Sequence, residues 1–218
     1  MNSENPPLRQ LSMLDRLLDQ ADKALRTTLA RPAQGGDSPA LEVPDMELTD
    51  AETAHAAGLM RINHAGEVCA QALYEGQALV ARDSAITQHM LDAAAEETRH
   101  LAWCDARLAE LDSKPSMLGP VWYAGSFALG TSAGLAGDQW SLGFVVETER
   151  QVEAHLADHL NRLPEADKRS RAIVSQMMED EARHGQQAKD AGANTLPDWI
   201  RSVMSATAKV MKVVAYRL

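Results

Sequence analysis

Two Glu-x-x-His steps, Glu97-Thr98-Arg99-His100 and Glu181-Ala182-Arg183-His184, constrain this chain more than any other feature. Each follows an upstream glutamate at nearly the same distance: Glu67 precedes Glu97 by 30 residues, and Glu149 precedes Glu181 by 32. A four-helix bundle that holds two metal ions uses this pattern, with one Glu from each of two helices and a Glu-x-x-His from each of the other two. A single Glu-x-x-His on a helix is ordinarily a solvated pair. Two of them, each behind a core-facing glutamate, point to a metal site.

The faces of the helices support that reading, because side chains at i, i+3, i+4 and i+7 lie together. Glu97 and His100 share a face with Met90, Ala93, Cys104 and Leu108; Glu181 and His184 share one with Val174, Met177 and Ala188. Glu149 lies in line with Leu142, Val145, Leu156 and Leu160, and Glu67 with Met60, Ala70, Tyr74 and Ala78. Carboxylates are rarely buried unless they are paired or bind metal. Glu96, Glu147, Glu153, Glu179 and Asp180 fall on other faces and are expected in solvent, with His89 and His159 as surface residues.

Composition agrees with an all-α protein, since only 4% of the 218 residues are aromatic and Ala, Leu, Met, Glu and Arg are abundant. The formal charge of −10, without a basic stripe, argues against nucleic acid as a partner. Part of the acidity is metal-directed: four inward glutamates carry about −4, which two divalent ions balance. Cys69 and Cys104 are too few for a disulfide framework or a cysteine metal site, so a reducing cytosol is expected. Residues Met1 to Pro7 lack the basic and apolar stretches of a secretory signal.

Along the chain, residues 1–48 read as an amphipathic helix at about 8–30 followed by a flexible linker around Gly35-Gly36. Residues 49–218 read as the bundle domain. Its four helices are expected at about 50–82, 87–112, 138–162 and 165–191, with a last helix at 197–218. The connection within 115–138 is unusual, because Met117 to Gly137 has no charged residue and five glycines. Its length is close to that of a bilayer span, but Pro120 and the glycines make it a poor one. It reads as an apolar crossover that either touches a membrane surface or covers the bundle. The last helix carries Arg201, Lys209, Lys212 and Arg217 opposite Ile200, Val203, Met204, Val210, Met211 and Val214. That pattern suits either an anionic membrane surface or ordinary docking.

Carboxylate oxygens with one imidazole per metal suit iron or manganese better than zinc. Iron with O2 as co-substrate fits the ligand set, as do iron storage and peroxide removal. Here the segment Arg61-Ile62-Asn63-His64-Ala65-Gly66-Glu67 resembles the signature of the demethoxyubiquinone hydroxylases, the di-iron monooxygenases of ubiquinone biosynthesis. Glu96 to Leu101 and Asp180 to His184 resemble that family's two Glu-x-x-His elements, and Phe127-Ala128-Leu129-Gly130 its quinone-site segment. The resemblance covers about Asp50 to Leu218.

It implies a ferritin-like four-helix bundle with a long apolar crossover between helices two and three, and two Fe ions held by Glu67, Glu97, His100, Glu149, Glu181 and His184. Glu147 competes with Glu149 for one ligand position, and Glu149 is preferred on spacing and face. The implied substrate is a polyprenylated demethoxyubiquinol, with His155 either beside the quinol as a catalytic hydrogen-bonding group or on the surface. NADH is implied as the ultimate reductant; whether it binds directly stays open. An isoprenoid substrate implies peripheral association with membrane lipids, on the cytoplasmic face of the inner membrane. Association into a homo-oligomer or a ubiquinone-biosynthesis complex stays open. Two other classes compete: an iron-storage or peroxide-scavenging protein, and a non-catalytic membrane scaffold or quinone-binding partner. Leu156 departs from the family, which often has tyrosine there, and Cys69 stands where glycine is usual.

Overall fold

A computed structural model describes residues 13–29 and 38–218, with no strand among them. The helices are α1 (Met13–Leu29), α2 (Asp50–Val80), α3 (Ser84–Glu110), α4 (Gly119–Ala136), α5 (Asp138–Arg162), α6 (Lys168–Asp190) and α7 (Asp198–Ala215). The start of the expected N-terminal helix and most of the Gly35-Gly36 linker lie outside the described residues. The four bundle helices are α2, α3, α5 and α6.

Local chemistry sets their ends. Thr49 caps α2 by accepting from the Glu52 amide, while the Glu52 carboxylate accepts from the Thr49 amide at 2.9 Å, a reciprocal capping box. Asp83 caps α3 after a connection of three residues, so α2 and α3 run antiparallel. Helix α6 begins at Lys168 rather than Glu165, because Asp167 is its N-cap and accepts from the Ser170 amide at 2.9 Å. Asp167 also receives Arg107 at 2.8 Å, which ties this cap to α3.

The expected crossover is a full helix, α4, about 27 Å long at 1.5 Å per residue. Pro120 sits in its first turn, where a missing amide hydrogen costs nothing. Its glycines seat it against α2: a Cβ on Gly130 would lie 2.1 Å from the Leu73 carbonyl oxygen, and one on Gly76 2.4 Å from the Phe127 carbonyl oxygen. Gly134 meets Gln77 and Val80 further along, so α4 runs parallel to α2. It carries the chain back to where α5 must start. There Asp138 accepts from the Arg82 and Asp83 amides at 3.1 and 2.9 Å.

Helix α7 docks on α2 through Met211 and Ala215, which pack with Ile62 and Ala65. The single apolar face expected for it is split in two. One edge is buried on α2; Trp199, Val203, Val210 and Val213 form an exposed stripe on another.

Candidate metal centre

All six sequence-predicted ligands converge in the middle of the bundle. Glu67 comes from α2, Glu97 and His100 from α3, Glu149 from α5, and Glu181 and His184 from α6; none is more than 2% exposed. They form two groups that could each hold an ion: Glu67, Glu97, His100 and Glu181, and Glu97, Glu149, Glu181 and His184. Donor atoms within each group lie within 4.8 Å of one another. Glu97 and Glu181 belong to both groups. The glutamate of each Glu-x-x-His is therefore placed to bridge, while the upstream glutamates and the two histidines stand at opposite ends. Gly185 gives Glu149 its room, since a Cβ there would come within 3.3 Å of the Glu149 Cβ.

The electrostatics are those of a site built around cations. Burial drives Glu67 well above the ordinary carboxylate range, and repulsion from Glu97 and Glu181 adds to it. Burial does the same to Glu149, helped by Glu181. Burial also works against ionised Glu181, but hydrogen bonds with His100, His184 and Glu149 outweigh it and hold Glu181 low. His184 resists its own burial through hydrogen bonds with Glu181 and Glu97, which raise it to about 10. Glu67 Oε2, Glu97 Oε1, both Glu149 oxygens and Glu181 Oε2 are buried with no hydrogen bond of good geometry. Acceptor oxygens left over in a buried cluster fit a pair of metal ions, which accept their lone pairs and cancel their charge.

Sequence reasoning missed the groups that orient the two imidazoles. Asp180 was expected in solvent but is buried, and His100 Nε2 lies 3.1 Å from its Oδ2. Glu96 is partly buried, with its Oε2 3.0 Å from His184 Nε2. Each acid thus holds the histidine of the other repeat, leaving both Nδ1 atoms facing the cluster; His100 Nδ1 is 3.1 Å from Glu97. Arg183 joins the two acids, donating to Asp180 at 2.7 Å and Glu96 at 2.8 Å. The signal was present, because both acids immediately precede a ligand glutamate: the repeat is acid-Glu-x-Arg-His. An outer carboxylate fixes the tautomer of a metal-binding imidazole and raises its basicity.

Two further expectations need correction. Glu147 is buried rather than solvated, but it faces Arg150 and Gln151, which donate to it at 2.7–2.9 Å, and it stays outside the cluster. His159 is also buried, because its Nδ1 finds the Asn63 side-chain oxygen at 2.7 Å, a partner on another helix. Glu153 and Glu179 are exposed as expected. His155 is half-buried and outside both donor groups. It packs edge-on against His159 and lines a cavity of about 260 Å³ with Ile62, Arg162, Lys212 and Tyr216. Burial lowers its pKa to about 4, so the ring is neutral, and its Nε2 has no hydrogen-bond partner.

A bundle whose four central helices each send a buried carboxylate to one cluster, two of them with an attendant histidine, defines the ferritin-like carboxylate class. The family model described as "Ubiquinone biosynthesis protein COQ7" matches residues 54–215, and the chain belongs to that family. It is 61% identical over 212 residues to a 3-demethoxyubiquinol 3-hydroxylase of Xanthomonas axonopodis pv. citri, covering 97% of this chain and 98% of that one. A protein of the same name from Xanthomonas oryzae pv. oryzae is 59% identical, covering 99% and 100%. Another from Xylella fastidiosa is 54% identical, covering 96% and 97%.

Proposed function

We propose that this chain is a two-iron monooxygenase that uses O2 to hydroxylate the ring of a polyprenylated demethoxyubiquinol in ubiquinone biosynthesis. The observation that carries the reading is the sharing of Glu97 and Glu181 between two buried donor groups. The name of the relatives, 3-demethoxyubiquinol 3-hydroxylase, favours hydroxylation over iron storage or peroxide removal. Carboxylate oxygen with one imidazole nitrogen per ion suits iron, and bound iron supplies the redox chemistry with O2 that carbon, carboxylate and imidazole lack.

Residue roles follow from position. Glu67 and His100 would hold one ion and Glu149 and His184 the other, with Glu97 and Glu181 available to both. Apolar layers above and below, including Tyr74, Met90 and Leu142 on one side and Cys104, Leu156 and Met177 on the other, keep bulk water out. Trp103 packs against the His100 ring at 5.1 Å between centroids. The neutral His155 ring offers its unpartnered Nε2 to a hydroxyl of the quinol in the adjoining cavity. NADH is the ultimate reductant in this reading.

A polyprenyl tail resides in a bilayer, and the enzyme meets it from the surface. No described helix is long and apolar enough to cross a membrane. Val121, Leu129 and Leu135 on α4 are exposed, as is the apolar stripe of α7. These two helices, both packed on α2, form the proposed contact with lipid at the cytoplasmic face of the inner membrane.

The test mixes anaerobically iron-loaded protein with reduced demethoxyubiquinol and labelled O2, followed by mass spectrometry of the quinone. One labelled oxygen is expected in the product, with none from Glu97→Ala or Glu181→Ala. Two bound irons and rapid O2 consumption without labelled product would overturn the reading in favour of storage or scavenging.

A further inference from the structure

The chain has three tyrosines. Tyr123 donates to Glu75, and Tyr216 pairs with His55 at 2.8 Å. Tyr74 differs: it is fully buried, at 0% exposure, and its hydroxyl has no protein hydrogen-bond partner. A phenylalanine would fill the same apolar layer without burying an unpaired hydroxyl. The phenol therefore needs a reason beyond packing.

Its position supplies one. Tyr74 lies seven residues after Glu67, two turns along the same face of α2. Long helical side chains lean toward the helix N-terminus, which turns this phenol back toward the level of Glu67. The side chains of its cluster one turn from the carboxylates or His184 are mostly small: Ala70 on α2, Ala93 and Ala94 on α3 and Ala188 on α6, with Val145 on α5. The second repeat has an equivalent position seven residues after Glu149, where Leu156 is equally buried. The two repeats thus differ at this position, with a buried phenol in one and a buried hydrocarbon in the other.

We propose that the Tyr74 hydroxyl donates a hydrogen bond into the cluster, to a small anion or solvent molecule taken up alongside the metals. Tyr74 then selects which end of the site receives that ligand. This inference rests on the two-iron reading above.

The test is titration of iron(III)-loaded protein with azide, a small anion whose binding is read from its charge-transfer absorption, in the parent chain, Tyr74→Phe and Tyr123→Phe. Loss of one hydrogen bond to a charged acceptor predicts azide binding about tenfold weaker in Tyr74→Phe, with a shifted absorption band. Metal-free Tyr74→Phe should melt at or above the parent temperature. Tyr123→Phe should melt lower, because Glu75 loses its donor, with azide affinity within twofold of the parent. Azide affinity within twofold of the parent in Tyr74→Phe would overturn the inference, and a lowered metal-free melting temperature beside it would assign Tyr74 to packing. Uptake of fewer than two irons by the parent would instead overturn the two-iron reading.

Discussion

Replacing Asp180 by Asn isolates what the outer carboxylate contributes to the metal centre. Asp180 is 4% exposed and faces His100 Nε2 at 3.1 Å, while its other oxygen takes Arg183 at 2.7 Å and Gln176 at 3.1 Å. Asn keeps the shape and a carbonyl that still accepts from the imidazole; it removes the negative charge and replaces the oxygen that accepts from Arg183 and Gln176 by an NH2 donor. A hydrogen bond to a charged group contributes about 1.5–3 kcal/mol against about 1 for a neutral pair. The exchange therefore costs about 1–2 kcal/mol, a loss of roughly 5- to 30-fold in affinity at the metal position served by His100. Glu96→Gln makes the same change at His184, but the Glu96 side chain is 32% exposed. Water screens that charge, so the expected loss is only a few-fold. Anaerobic iron(II) titration against a competing chelator measures both dissociation constants, with circular dichroism checking that helix content is equal. Unchanged affinity in Asp180→Asn, or a larger loss in Glu96→Gln, would refute the idea that a buried outer carboxylate sets the basicity of the imidazole.

The same substitution at two glycines of α4 should have opposite signs. Gly125→Ala, where a Cβ meets nothing within 4 Å, should stabilise by about 1 kcal/mol through helix propensity. Gly130→Ala forces α4 off the Leu73 backbone and should destabilise by about 2 kcal/mol net, and equal urea midpoints would mean the two helices are not in backbone contact. His159 carries a pH dependence, since burial, then the electrostatic influence of neighbouring His155 and Arg162, lowers its pKa to about 3. A histidine depressed in the fold loses stability as pH falls below its unfolded value of about 6.5, reaching about 2 kcal/mol at pH 5. The stability advantage of the metal-free parent over His159→Gln should shrink by that amount between pH 7.5 and 5; a constant difference would show that His159 protonates freely within the fold. Leu129→Asp combined with Leu135→Asp should reduce co-sedimentation with anionic liposomes several-fold and leave iron binding intact, and unchanged sedimentation would exclude α4 from the lipid contact. Phe127 is a poorer probe, because it packs beside Val68 and Leu101.

Helical periodicity made the six residues of the buried cluster legible, because a buried carboxylate announces itself by sharing a face with Met, Val and Leu. It also separated Glu149 from Glu147, two residues away on the other side of α5. The same reasoning misplaced Asp180, Glu96 and His159, since a single helix wheel contains no neighbours. Their partners, His100, His184 and Asn63, stand 80, 88 and 96 residues away in the chain. The glycines of 119–137 were legible as an apolar crossover but not as a helix seam, because Gly130 and Gly76 are two sides of one close helix contact that appears only when α2 and α4 are brought together.

The segment Arg61 to Glu67 gains a physical explanation from these contacts. Arg61 donates to the Tyr216 and Lys114 carbonyls at 2.8 and 2.9 Å, fixing the end of α7 and the connection into α4. Ile62 packs under α7 and lines the His155 cavity. Asn63 receives His159, which in turn supports the His155 ring. Glu67 then enters the metal cluster one turn further along. Gly66 is the exception, for a Cβ there would meet nothing within 4 Å, and packing does not explain the glycine. Within two helical turns, one stretch of α2 connects the outward-facing α7, the cavity proposed for the quinol and the carboxylate cluster. A displacement of α7 would therefore be felt at Arg61 and Ile62 before it reached Glu67, so α7, the His155 cavity and the carboxylate cluster share one stretch of α2.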